Sequence, residues 1–190
     1  MPRGKVCHPT PEITMTYPFP PVAELRRIHG LAAVPVVLRT RDPNRYAFHE
    51  AGHVVLLEWV GITPTSARAD DRGGEVLFNP GELDGDTTPT DYDRPLAAAQ
   101  AAAIYHAGIV AELILTGQRW QGVTIRHKSG DWQKARVILA PHFGIGLAGH
   151  GFSQRVALAV LTACWPRVQE VADALIEDGT WTPSKDSEHV

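Results

Sequence analysis

His49, Glu50 and His53 stand in the order H-E-x-x-H within Tyr46-Ala47-Phe48-His49-Glu50-Ala51-Gly52-His53-Val54-Val55-Leu56. On an α-helix, residues four apart sit one above the other on the same face, so both imidazoles can grip one ion. Zinc suits two imidazoles and leaves room for a third protein ligand and an open water position. Glu50, next to the first histidine, is close enough to take a proton from that water. The spacing predicts a zinc hydrolase centre. The alternative is a chance match on a buried helix, its histidines simply hydrogen-bonded.

The elements that must position these residues can be read outward from the motif. Asp42 as N-cap and Pro43 at the first helical position predict a helix from Pro43 to Val60, stopped by Gly61. Val54, Val55, Leu57 and Trp59 would bury most of its circumference and hold the ligands rigidly. A hairpin follows, with strands near Thr65 to Ala69 and Glu75 to Asn79 around Arg72-Gly73-Gly74. Glu82, Asp84, Asp86, Asp91 and Asp93 lack calcium-loop spacing and predict a solvated loop. A long helix is expected from Tyr92 to Thr116, ended by Gly117, its alanines (Ala97 to Ala99, Ala101 to Ala103) packing against the motif helix. His106 and Glu112, six residues apart on it, point in different directions, so only one can face the metal.

Gln118 to Lys128 reads as an irregular connection, and Ser129-Gly130-Asp131 opens a helix to about Ala140. Pro141 to Gly151 reads as a flexible loop, followed by a final helix from Phe152 to Glu177, kinked or split near Pro166. Upstream, proline-rich Met1 to Pro21 reads as a loose arm, Val22 to His29 as a short helix and Leu31 to Arg39 as a strand. The expected organisation is an irregular arm over 1–44, one domain over 45–178 and a polar tail over 179–190. Its fold class is mainly α, with a small β-hairpin or sheet beside the H-E-x-x-H helix.

The 190 residues are enough for one domain with a real core, and 44% hydrophobic with 21% charged residues is ordinary for a globular protein. A net charge of -3 gives no basic footprint for nucleic acid or anionic lipid. Cys7 and Cys164 are too few for a disulfide framework or a cysteine metal site, which favours a reducing compartment. The apolar stretch from Leu96 to Leu115 is interrupted by Gln100, His106 and Glu112, as in a buried helix rather than a membrane span. The expected location is cytoplasmic, with neither nucleic acid nor membrane as partner.

The order of these features resembles the peptidase domain of the FtsH family of ATP-dependent zinc proteases. His-Glu-Ala-Gly-His on a helix is followed by a β-excursion, by Ala107-Gly108-Ile109-Val110-Ala111-Glu112-Leu113 on a helix, and by Ser129-Gly130-Asp131 opening another. The resemblance spans about Arg45 to Leu175. It implies that His49 and His53 are zinc ligands, that Glu50 is the general base, and that Asp131 supplies the third ligand. A carboxylate oxygen suits zinc, so chemistry permits that assignment. Equally, a carboxylate at a helix start is a common structural feature. Glu112 matches a family glutamate and is the second choice, as ligand or as a partner orienting a histidine. The departures are the lack of any G-x-x-x-x-G-K-S/T segment and of the family's proline-arginine-glycine segment, near whose place stands Asp71-Arg72-Gly73-Gly74.

The function expected is zinc-dependent endopeptidase action on unfolded or peptide-sized polypeptides, ATP-independent in this chain, with an unfoldase or delivery partner acting in trans. His106, His127 and His142 are candidate oxyanion donors, each set against an ordinary structural role. Two alternatives are a site-specific cytosolic protease that cuts a regulatory protein and a zinc-bearing peptide-binding or scaffold domain without turnover.

Overall fold

The computed structural model describes residues 42–79, 94–117, 124–127 and 129–183. Expectations for the arm over residues 1–41, the acidic stretch over 80–93 and the last seven residues lie outside the described residues. The described chain forms α1 (Arg45–Trp59), β1 (Ser66–Ala69), β2 (Gly74–Leu77), α2 (Arg94–Leu115), α3 (Gly130–Phe143), α4 (Ala148–Ala163), α5 (Trp165–Asp178) and β3 (Thr180–Trp181). It is mainly helical with one small antiparallel sheet of order β2-β1-β3.

The motif helix begins later than its cap residues suggest. Asp42 accepts the backbone N–H of Asn44 at 2.9 Å, which closes a turn rather than capping the helix, and Pro43 lies in that turn. Its end is the expected one. Gly61 adopts φ 84°, and Gly61 N–H and Ile62 N–H return to the carbonyls of Glu58 and Leu57. Ala47, Ala51, Val54, Val55, Leu56 and Leu57 are buried, together with Glu50 and His53.

The Ala-rich α2 is the central helix, in contact with α1, α3 and α4. It has the length and hydropathy of a membrane span, but most of that stretch is buried inside the fold. Small residues let α1 approach closely: a Cβ on Gly52 would lie 2.8 Å from the carbonyl oxygen of Ala107 and 2.9 Å from Ala111 Cβ. One core forms where α1, α2, α4 and α5 meet the sheet, and a smaller one, with Leu139, Phe143 and Phe152, joins α2, α3 and α4. Arg167 on α5 grips Glu58 on α1 through two bonds, of 3.1 and 2.7 Å, and its guanidinium lies over the Trp181 ring.

Three further elements differ from expectation. The hairpin turn sits on Asp70, whose carboxylate accepts the N–H groups of Arg72 and Gly73, so Gly74 already belongs to β2. Pro141 does not end α3. Near a C-terminus a missing N–H removes one bond only, and Gly144, with φ 72°, makes the stop. The expected loop to Gly151 then shrinks to a short connection, because Gly149 is needed within α4, where a Cβ would lie 2.8 Å from that of Phe143. Finally, the expected tail opens with β3, whose Thr180 and Trp181 pair with Arg68 and Ala67. The split at Pro166 stands as read: Cys164 turns the chain and Pro166 lies in the first turn of α5.

Candidate metal centre

His49 and His53 project from the same face of α1, and each has one ring nitrogen already engaged. His49 donates from Nδ1 to Glu112 Oε1 at 2.7 Å, and His53 donates from Nδ1 to the Ile104 carbonyl at 2.7 Å. Both partners come from α2. These bonds place a proton on each Nδ1 and so leave each Nε2 as the atom that can ligate. The two Nε2 atoms converge on Asp131 Oδ2, each at 3.9 Å. Asp131 reaches them from the first turn of α3, where Ser129 Oγ caps the helix by accepting the Trp132 N–H at 3.3 Å.

This donor set fits a divalent cation. One ligand atom from each of His49, His53 and Asp131 lies within 4.8 Å of the other two. Tetrahedral ligands about 2.0–2.1 Å from zinc stand roughly 3.3 Å apart. A closure of about 0.6 Å from the observed 3.9 Å would therefore complete the geometry. Two imidazoles and a carboxylate also suit other first-row metals, so the donor set alone does not single out zinc.

The charges of these side chains are mutually adjusted. Burial opposes protonation of His49, yet the carboxylates of Asp131, Glu112 and Glu50 outweigh it and raise its pKa to about 9. Burial and the neighbouring His49 lower His53 to about 4. Burial works against ionisation of Asp131, but the neighbouring His49 and His53 and the charge of Lys134 hold the carboxyl well below the usual range. Glu50, also buried, is raised to about 7, chiefly by desolvation and against the pull of His49.

Glu50 lines a cavity of about 170 Å³ together with His53, Asp131 and residues that sequence reading missed. Gly74, Glu75 and Val76 supply its β2 wall, and Tyr105 and Lys134 flank it from α2 and α3. Lys134 lies one helical turn beyond Asp131, a spacing that could have drawn attention to it. Gly74 is there because space is short: a Cβ would come within 2.5 Å of Glu50 Cγ and 2.8 Å of its Oε1. Gly108 has the same role beneath His49, where a Cβ would lie 2.6 Å from Cε1 and nearer still to Nε2.

Of the two α2 candidates, Glu112 reaches the centre and His106 does not. Glu112 takes the orienting position on His49 Nδ1, while Asp131 faces the two free nitrogens. His106 is fully buried and bonds His150 Nδ1 through Nε2 at 3.0 Å. His127 bonds Ser129 Oγ at 2.7 Å, its ring edge-on to His106 and Trp132. His142 lies in the last turn of α3, at the opposite end from Asp131. None of these three histidines lines the cavity. No protein-family model and no curated protein matches the sequence.

Proposed function

We propose that this chain is a zinc-dependent endopeptidase of FtsH type, acting on unfolded or peptide-sized polypeptides. The observation that carries the reading is the convergence of His49 Nε2 and His53 Nε2 on Asp131 Oδ2 in a centre whose adjoining cavity is lined by Glu50. A structural zinc site closes all four positions with protein ligands and has no use for a base, whereas three ligands beside a carboxylate suit hydrolysis.

His49, His53 and Asp131 would hold the metal, and zinc when bound supplies Lewis-acid chemistry, acidifying a water and polarising a carbonyl. Glu50 accepts the proton of the attacking water and delivers it to the leaving amine. Its raised pKa suits both directions of transfer, since a group titrating near the working pH can take and give a proton. Glu112 and the Ile104 carbonyl keep the two imidazoles in the ligating tautomer.

The sheet supports a polypeptide as substrate. β2 pairs with β1 on one side only, among the described residues, and three of its residues line the cavity. An extended peptide adding to its open edge would run past Glu50 with main-chain hydrogen bonds alone, which favours cleavage tolerant of sequence. The test is incubation of the zinc-loaded chain with an unfolded protein, fragments being read by mass spectrometry. Internal cuts that stop with chelator and resume with zinc are expected. Removal of terminal residues only, or no cuts, would contradict the reading.

A further inference from the structure

Three histidines that the catalytic reading does not use, His106 and His150 buried and His127 half-buried, surround one residue, Trp132, the neighbour of Asp131. The His150 ring lies flat on the indole, with centroids 3.8 Å apart and planes 6° from parallel. His106 and His127 meet it edge-on at 5.5 and 5.6 Å. These histidines come from α2, from segment 124–127 and from α4. Three separate parts of the chain therefore close on the first turn of α3.

The other side of Asp131 is held as well. Ser129 Oγ accepts the Trp132 N–H, so its own hydrogen is free for His127 Nδ1, 2.7 Å away. That arrangement leaves the His127 proton on Nε2. Both flanks of the metal carboxylate, Ser129 and Trp132, are thus tied to histidines.

Apolar side chains would fill this space without desolvating imidazoles. Two polar atoms of the cluster, His106 Nδ1 and His127 Nε2, have no hydrogen-bond partner among the described residues. Hydrogen bonds and ring edges supply direction, which aliphatic packing lacks. Direction matters here, because Asp131 Oδ2 must close on two nitrogens of another helix, from which it stands equally far, and ligand distances in a formed metal site fall within about 0.2 Å of ideal.

We propose that His127 and His150, acting through Ser129 and Trp132, are positioning residues that set the place of Asp131 in the metal centre. The proposal rests on the metal reading of that centre and not on hydrolysis, so it stands or falls by metal affinity even if no peptide is cut.

The test is zinc affinity, measured by competition with a chromophoric chelator, with cobalt absorption spectra as a report on coordination. His127→Ala should weaken zinc at least tenfold and alter the cobalt spectrum, as loss of an orienting partner does. His127→Asn, whose Oδ1 can take the place of Nδ1 towards Ser129, should stay within threefold of wild type. So should His150→Phe, which keeps a stacked ring. His150→Ala, which removes the stack, should weaken zinc at least tenfold, and affinity within threefold of wild type there would remove His150 from the proposal. Arg167→Ala, remote from the centre, is the control for lowered stability and should keep wild-type affinity. If His127→Ala does not fold, Ser129→Ala deletes the same bond and carries the same expectation. Zinc affinity within threefold of wild type in the variant lacking that bond would overturn the proposal. So would an equal loss in Arg167→Ala, since affinity would then follow global stability.

Discussion

Gly108→Ala should disable the metal centre while adding one methyl group. The new Cβ would lie 2.6 Å from His49 Cε1, against about 3.4 Å for an ordinary contact, so the ring must retreat by about 3.4 − 2.6 = 0.8 Å. Nε2, the ligating atom, is closer still and must move further. That displacement is about four times the 0.2 Å tolerance of a metal–ligand distance. The ring has no free path, because Glu112, one turn along the same helix, holds Nδ1 at 2.7 Å. Zinc affinity should fall about 100-fold, roughly 2.7 kcal/mol. Metal-free stability should change far less. Alanine favours a helix over glycine by about 1 kcal/mol, and overpacking costs about 1–3 kcal/mol, a net loss of about 0–2 kcal/mol. Chelator competition and urea melts of the metal-free protein measure the two effects separately. Gly130→Ala is the control, since its Cβ would meet nothing within 4 Å. Zinc binding by Gly108→Ala within threefold of wild type would refute the reasoning.

Three further outcomes follow from the same geometry. With His49 raised to about 9, a proton competes with the metal; zinc affinity should rise about tenfold per pH unit between pH 7 and 9, with proton release visible by calorimetry in buffers of different ionisation enthalpy, and a flat profile would count against the site. Stability of the metal-free protein should fall as pH drops from about 6.5 towards 4: His53, His127 and His150 are held neutral down to about 4, each contributing on the order of 3 kcal/mol that is present above 6.5 and lost through that window. Glu50, raised to about 7, works in the opposite direction by a comparable amount, while fully buried His106, also held neutral by its burial, adds to the loss. The net loss is therefore on the order of at least two histidines, comparable to a whole domain's stability, and urea melts unchanged from pH 7 to 4.5 would contradict it. Arg167→Met should cost about 1–3 kcal/mol in a thermal melt, because it leaves the half-buried Glu58 without its two-bond partner.

What the sequence made legible is what local rules determine. The i, i+4 spacing of His49 and His53 and the glycine stops at Gly61 and Gly117 need only helix geometry, and both glycines have positive φ. Asp131 could be named as a candidate only through the family resemblance, and its meeting with the two Nε2 atoms depends on how α3 packs against α2. Tertiary context also decided the misreadings. Gly149 looked like loop until Phe143 was seen against it, and Thr180 looked like tail until β1 offered it an edge. The histidine cluster was hidden for the same reason: His106, His127 and His150 are spread over 45 positions and meet only around Trp132. Glu112 lay between the two cases, since its helix face was readable and its choice of His49 Nδ1 was not.

The most direct test of the central claim compares wild type with Glu50→Gln at equal, measured zinc content, on an unfolded protein. Glu50 donates nothing to the metal in this account, so the variant should hold zinc as tightly as wild type and cut at least 100-fold more slowly, the scale of lost general-base catalysis. Equal cutting by both would mean that Glu50 is not the base, and zinc-loaded wild type that cuts nothing would contradict the reading of this chain as a hydrolase.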